Sequence, residues 1–237
     1  MTPWHVGTVV GTKDLTPASR TLVLAVPGFS GARPGQHVDV RLTAPDGYQA
    51  SRSYSLAATG QDERVELAVA VVPDGEVSPY LVEVARPGDA MEVRGPLGGH
   101  FVWDPASPAP VLLVAGGSGV VPLVAMLRAR AAADVAAPFR LVLSVRTAAD
   151  VMFSDELAAP GDGVTVHRVL TREAAGARPA GRLAAADLAA PGFGPDDAPD
   201  VFVCGPTGFV EHASSLLTGL GHPAARIRTE RFGGTAR

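Results

Sequence analysis

The chain has 237 residues, 46% hydrophobic and 19% charged, with a net charge of −4. That length accommodates one large domain or two ordinary ones, and the acidic balance offers no electrostatic footprint for nucleic acid or anionic lipid. A single cysteine, Cys204, excludes an internal disulfide, a cysteine-ligated zinc site and a resident iron–sulfur cluster, and the six histidines show no metal-ligand spacing, so no metal is expected.

The opening MTPWHVGTVV lacks the basic segment and apolar run of a signal peptide. From Val6 to Trp103 short runs rich in Val, Leu and Thr, such as TLVLAV, HVDVRL and VELAVAVV, alternate with turn stretches such as PGFSGARPGQ, APDG, PDGE and RPGD. This spacing predicts an antiparallel barrel or sandwich, with one short helix at SPYLVEVA. Residues 104–110, DPASPAP, carry three prolines in seven positions and read as a linker. Beyond them the pattern changes. An apolar strand from Val111 leads through a glycine-rich turn into a helical segment reaching about Ala133. Strands are expected at FRLVLSVR, VTVHRVLT and DVFVCG, and helices at SDELAA, AAADLAA and GFVEHASSLLTGL. Alternating strands and helices predict a parallel sheet covered on both faces. The apolar run Val111–Leu127 is broken by GGSG and Pro122 and is shorter than the roughly 20 residues a membrane helix needs. A cytoplasmic location without membrane insertion is expected.

The turn Gly116-Gly117-Ser118-Gly119 between strand and helix brings backbone N–H groups and a positive helix end toward a possible anion. From the turn alone, a phosphate site and a plain strand-to-helix connection both remain open. The common dinucleotide fingerprint needs a glycine where Pro122 stands, and a nucleophile elbow centred on Ser118 needs one where Val120 stands. A hydrolase built on Ser118 with His212 or His222 is therefore remote. Lys13 is the one lysine among 20 basic residues, so an arginine is informative only inside a motif.

Eight motifs in order resemble the ferredoxin–NADP reductase superfamily: PGQHVDVRL (34–42), RSYS (52–55), GEVSPYL (75–81), GPLGGHF (95–101), GGSGVVPL (116–123), LTRE (170–173), CGPTGF (204–209) and ERF (230–232). The resemblance covers nearly the whole chain. It implies an FAD-binding antiparallel β-barrel over 1–103, the linker 104–110, and an α/β parallel-sheet NAD(P)-binding domain over 111–237. Read from residues alone, RSYS is an ordinary strand with Tyr54 inward and Arg52 at the rim.

The resemblance makes Arg52, Ser53, Tyr54 and Ser55 the flavin cradle. Arg52 would pair with phosphate, Tyr54 would pack on the ring system, and Ser55 would stand near the nitrogen that receives the hydride. The residue types suit these tasks, since a guanidinium matches phosphate geometry and an aromatic face stacks on a flat ring. Val77 and Ser78 would offer groups to the flavin diphosphate; Ser78 before Pro79 also reads as a helix start. Gly116, Gly117, Ser118 and Gly119 would meet the dinucleotide, with Gly205, Pro206 and Thr207 shaping its ribose and diphosphate site. Arg146, Thr171 and Arg172, with Arg182 weaker, would hold an adenosine 2′-phosphate and so favour NADPH, NADH remaining possible. Cys204 would lie near the nicotinamide and Glu230 near the reacting edge. Phe232 would cover the flavin, although the plant-type pattern ends in tyrosine and this chain continues GGTAR.

The implied reaction is hydride transfer from a nicotinamide to flavin, with Ser55, Cys204 and Glu230 nearest the chemistry. Electrons would then pass to a separate acceptor such as a ferredoxin, a haem protein or an oxygenase component. Reduction of free flavin or small acceptors, and a flavin-binding regulatory subunit without turnover, are the competing readings.

Overall fold

The Val-, Leu- and Thr-rich runs of the first half become strands in the computed structural model, which describes residues 2–60 and 62–233. They are β1 (Trp4–Thr16), β2 (Ser19–Ala25), β3 (His37–Thr43), β4 (Gln49–Ser55), β5 (Arg64–Ala70) and β6 (Ala90–Leu97). Alternation sends Leu22 and Leu24 of β2, Val38 and Val40 of β3, and Met91 and Val93 of β6 into one core. Each such side chain contributes roughly 1.5–3 kcal/mol when fully buried. The intervening His37, Asp39 and Arg41 lie on the opposite face of β3 and remain partly accessible. All pairings are antiparallel, in the order β4-β3-β6-β1-β2-β5. Just beyond β4, Leu56 bridges Leu67 of β5, which curls the sheet into a barrel. Register shifts between Val9 and Gly11 and between Asp14 and Thr16 give β1 the bends it needs to pair with two neighbours.

The short helix expected at SPYLVEVA is a five-residue π-turn, Tyr80–Val84, anchored by buried Leu81 and Val82. No side chain caps it. Ser78 is committed elsewhere, its Oγ accepting the Val72 N–H at 3.0 Å.

The chain divides into two compact units: one reaches Trp103 and includes Val124–Ala129, and the other comprises Asp104–Leu123 and the chain from Arg130. The proline-rich stretch is held within the second, where Ser107 Oγ donates to Asp200 at 3.0 Å and the Asp200 N–H donates to the Pro110 carbonyl at 2.9 Å. After it come β7 (Val111–Gly116), α1 (Val120–Ala132), β8 (Phe139–Val145), α2 (Ser154–Ala158), β9 (Val164–Leu170), α3 (Ala185–Leu188), β10 (Asp200–Pro206), α4 (Thr207–Gly219) and β11 (Ile227–Phe232). Every residue of β7 is buried, as expected of a central strand covered on both faces. The five strands run parallel in the order β11-β10-β7-β8-β9. The chain steps outward one way from β7 to β9 and the other way from β10 to β11. The reversal between β7 and β10 is where open parallel sheets take ligands, beyond the strands' carboxyl ends.

The ERF segment ends β11, a strand absent from the sequence expectations. Its six residues, IRTERF, show no buried position, so pairing with β10 makes this strand rather than an apolar pattern. α3, only four residues long, is held by buried Asp187, which accepts from Arg178, His167 and the Ala184 N–H at 2.6, 2.9 and 2.8 Å. Among the described residues no helix is long and apolar enough to cross a membrane, and no group of three or more His, Cys, Asp or Glu could hold a metal ion.

Candidate active site

Strand alternation sorts RSYS. Arg52 pairs with Val40 and Tyr54 with Val38, so both lie on the core-facing side of β4. Tyr54 packs against the barrel core. Burial pushes its phenol up to about 12, despite the opposing charge of Arg52, and the ring is neutral throughout the physiological range. Two residues earlier on the same face, the Arg52 side chain is 54% exposed. Its Nη1 donates to the Ser51 carbonyl at 2.7 Å and its Nη2 to Glu76 Oε2 at 2.8 Å.

Ser53 and Ser55 alternate to the other face. Ser53 Oγ donates to Asp39 at 2.6 Å, and Asp39 also accepts from Arg94 Nη2 at 2.6 Å. These residues form one cross-strand row, Ser53–Asp39–Arg94–Trp4, in which the Arg94 guanidinium stands 4.8 Å from the Trp4 ring centre. The Ser53 hydroxyl is therefore spent on the sheet. Ser55 ends the strand half-buried.

Val77 is fully buried in the barrel core and Ser78 is nearly so. Their side chains hold the turn, and Glu76 beside them is exposed. Glu76 was not among the expected site residues, and its charge within GEVSPYL was the only local signal.

In the second unit, glycine at three of the four turn-related positions is explained by close packing. A Cβ on Gly116 would stand 2.6 Å from the Phe209 ring, and one on Gly205 2.7 Å from the same ring. One on Gly119 would stand 2.1 Å from the Cys204 carbonyl oxygen. Gly117 differs. Its φ of +56° favours glycine, and a Cβ there would meet nothing within 4 Å. Gly117 and the partly exposed Ser118 are thus the open part of the turn. Thr207 begins the 13-residue α4 directly after Pro206, with no side-chain cap, so the free N–H groups of that helix end suit an anion.

Arg146 and Arg172 follow β8 and β9 as exposed neighbours. The ladder continues past both strands: the Thr171 N–H donates to the Val145 carbonyl and the Arg172 N–H to the Arg146 carbonyl, each at 2.9 Å. Glu173 reaches from one loop to the other, accepting the Ala148 N–H at 2.5 Å. Arg182 is exposed, and its carbonyl accepts Arg178 Nη2 at 2.9 Å.

Cys204 is buried at the end of β10 beside Glu230 of β11. Burial raises its thiol pKa well above the ordinary value, and Glu230 adds to the rise against an opposing Gly205 N–H, so the group stays protonated. Phe232 pairs with Pro206 at the end of β11 and is 39% exposed.

An exposed guanidinium fork beside a neutral aromatic on one barrel face suits a flavin phosphate and ring. The open Gly117 and the uncapped α4 suit a dinucleotide. Together with the two architectures they define a flavin- and pyridine-nucleotide-dependent oxidoreductase. Residues 7–103 match the oxidoreductase FAD-binding domain and residues 113–215 the oxidoreductase NAD-binding domain. A relative from Sorangium cellulosum, ferredoxin–NADP reductase B, is 36% identical over 84% of this chain and 84% of its own length. The chain belongs to the ferredoxin–NADP reductase superfamily. An NADPH oxidoreductase of Mycobacterium tuberculosis is 33% identical over 95% of this chain, which spans 59% of that relative's length. The FAD/NAD-binding domain of a Vibrio cholerae nitric oxide dioxygenase superposes with a TM-score of 0.86 at 24% identity, covering 97% of this chain and 99% of that one.

Proposed function

We propose that this protein is an FAD-dependent reductase that takes a hydride from NADPH or NADH and passes electrons to a separate redox partner in the cytoplasm. In this reading residues 1–103 bind FAD, 104–110 link, and 111–237 bind the nicotinamide cofactor. The observation that carries it is the placement of Arg52 and Tyr54 on one face of β4 in a barrel whose sequence matches an FAD-binding domain. The partner class is a ferredoxin, a haem protein or an oxygenase component, and a relative named ferredoxin–NADP reductase supports the first.

FAD, when bound, supplies the capacity to accept two electrons together and release them singly. The chain's own groups bind and orient. Arg52 neutralises flavin phosphate, and Tyr54 presents a neutral aromatic wall that cannot ionise at working pH. Ser55, at the end of β4, offers a small hydroxyl near the reacting nitrogen. Val77 and Ser78, buried and committed within the fold, brace the segment that would meet the diphosphate. Gly117 and Ser118, with the N-terminus of α4 at Thr207, receive the pyridine-nucleotide diphosphate. Arg146, Thr171 and Arg172 receive a 2′-phosphate. Cys204 is a small protonated side chain beside the nicotinamide position, with Glu230 as the neighbouring carboxylate. Phe232, on the last described strand, shields the flavin ring. Holding the two cofactors in reacting geometry is the main catalytic contribution such a protein makes.

Anaerobic mixing of the flavin-loaded protein with NADPH or NADH, followed in the visible spectrum, tests the proposal. Rapid loss of the flavin absorbance with at least one donor is expected, and the ratio of the two rates names the preferred one. A flavin spectrum that neither donor alters would overturn the reductase reading.

A further inference from the structure

Arg52, assigned above to flavin phosphate, already holds an anion of its own chain. Its Nη2 lies 2.8 Å from Glu76 Oε2, while the Tyr48 hydroxyl donates to Glu76 Oε1 at 2.6 Å. Both carboxylate oxygens are thus engaged, and the charge is directed at the guanidinium. Glu76 cannot retreat far through its backbone. It stands between Gly75, whose N–H donates to the Val72 carbonyl at 3.0 Å, and fully buried Val77. Ser78 Oγ, on the Val72 N–H, closes the same turn. The side chains are free to rearrange, since Arg52 is 54%, Glu76 46% and Tyr48 57% exposed. An exposed ion pair of this kind is weak enough for a phosphate to displace, yet its carboxylate stays tethered close to the incoming charge.

We propose that Glu76 sets the flavin affinity of this protein by occupying Arg52 in the flavin-free state and competing with flavin phosphate for its guanidinium. Cofactor binding then exchanges one anion for another, and Tyr48 steadies the competitor. The inference rests on the reading of Arg52 as the phosphate arginine. It gives Glu76 an effect opposite in sign to that of a residue that contacts the cofactor favourably: its removal tightens binding.

The test uses the full chain stripped of flavin and titrated with FAD and, separately, with riboflavin, which has no phosphate, while flavin fluorescence is followed. Glu76→Gln should tighten FAD about fivefold and leave riboflavin unchanged, a size set by the modest strength of exposed pairs. Tyr48→Phe should shift FAD in the same direction by about twofold. In an Arg52→Ala background the gain from Glu76→Gln should shrink, because the shared guanidinium is gone. Unchanged or weakened FAD binding in Glu76→Gln, or an equal gain with and without Arg52, would overturn the competition. If Arg52→Ala itself leaves FAD affinity unaltered, the phosphate assignment fails and the inference with it. If Arg52→Ala weakens FAD while Glu76→Gln does nothing, only the role of Glu76 fails.

Discussion

The Phe209 ring rests against Gly116, so closely that a Cβ there would stand 2.6 Å from its Cδ1. The same ring covers Gly205, which ties the turn after β7 to the end of β10 at the reversal of the parallel sheet. Two of the glycines in apparent ligand-binding motifs are therefore small because an aromatic side chain lies on them. Gly116→Ala should lower stability by about 1–3 kcal/mol through overpacking. Thermal unfolding should show a lowered Tm, partly restored when Phe209→Leu is added to relieve the clash. Full stability in Gly116→Ala alone would mean that the ring moves aside at little cost.

Asp187 makes the second unit sensitive to acid. Burial pushes its carboxyl up, but hydrogen bonds from Arg178, His167 and the Ala184 N–H, with the charge of Arg178, outweigh burial and hold it well below the usual carboxylate range. A carboxyl depressed in the folded state contributes stability above its unfolded pKa, near 3.9, and loses that contribution as pH falls toward the folded value. Asp187→Asn should cost about 2–4 kcal/mol at neutral pH, since it leaves Arg178 without its ionic partner in a largely buried setting. Denaturant unfolding at pH 7 and pH 3 should show the penalty shrinking at the lower pH. An equal penalty at both values would contradict the ionic role.

Nicotinamide preference is the third outcome open to measurement. Replacing Arg146 and Arg172 together by alanine should raise the KM for NADPH by roughly 10-fold or more while moving that for NADH little, because charge-assisted hydrogen bonds to a 2′-phosphate are lost. Glu173→Ala, which unpins the Ala148 N–H from the neighbouring loop, should give a smaller change in the same direction. Steady-state rates with both donors decide the matter. Equal changes for NADPH and NADH would remove these arginines from the 2′-phosphate.

Most of the fold was legible because it depends on local chemistry. HVDVRL declares its strand by alternation, and VLLVAG declares a buried parallel strand by having no polar face. The glycine turn was equally visible, although its physical reading was not: sequence alone treats Gly116, Gly117 and Gly119 alike, whereas packing leaves only Gly117 with open space. Ser53 and Ser78 show the same limit. Both have hydroxyls suited to a ligand, and both donate or accept within the protein, to Asp39 and from Val72. IRTERF carried no strand pattern, because its order comes from the backbone of β10 beside it.

By itself the sequence determined the two architectures, their order along the chain and the family to which it belongs. Those properties follow from periodicity, turn residues and motif spacing, each of which acts over a few neighbouring positions. Only the tertiary structure decided how polar and small residues were used. It set Glu76 against Arg52 across 24 positions and laid Phe209 on Gly116. It also gathered Arg178 and His167 around Asp187. A hydrogen bond or a van der Waals contact is satisfied by whichever partner the folded chain brings within reach, and that partner is chosen by strand register and helix packing rather than by neighbours in sequence.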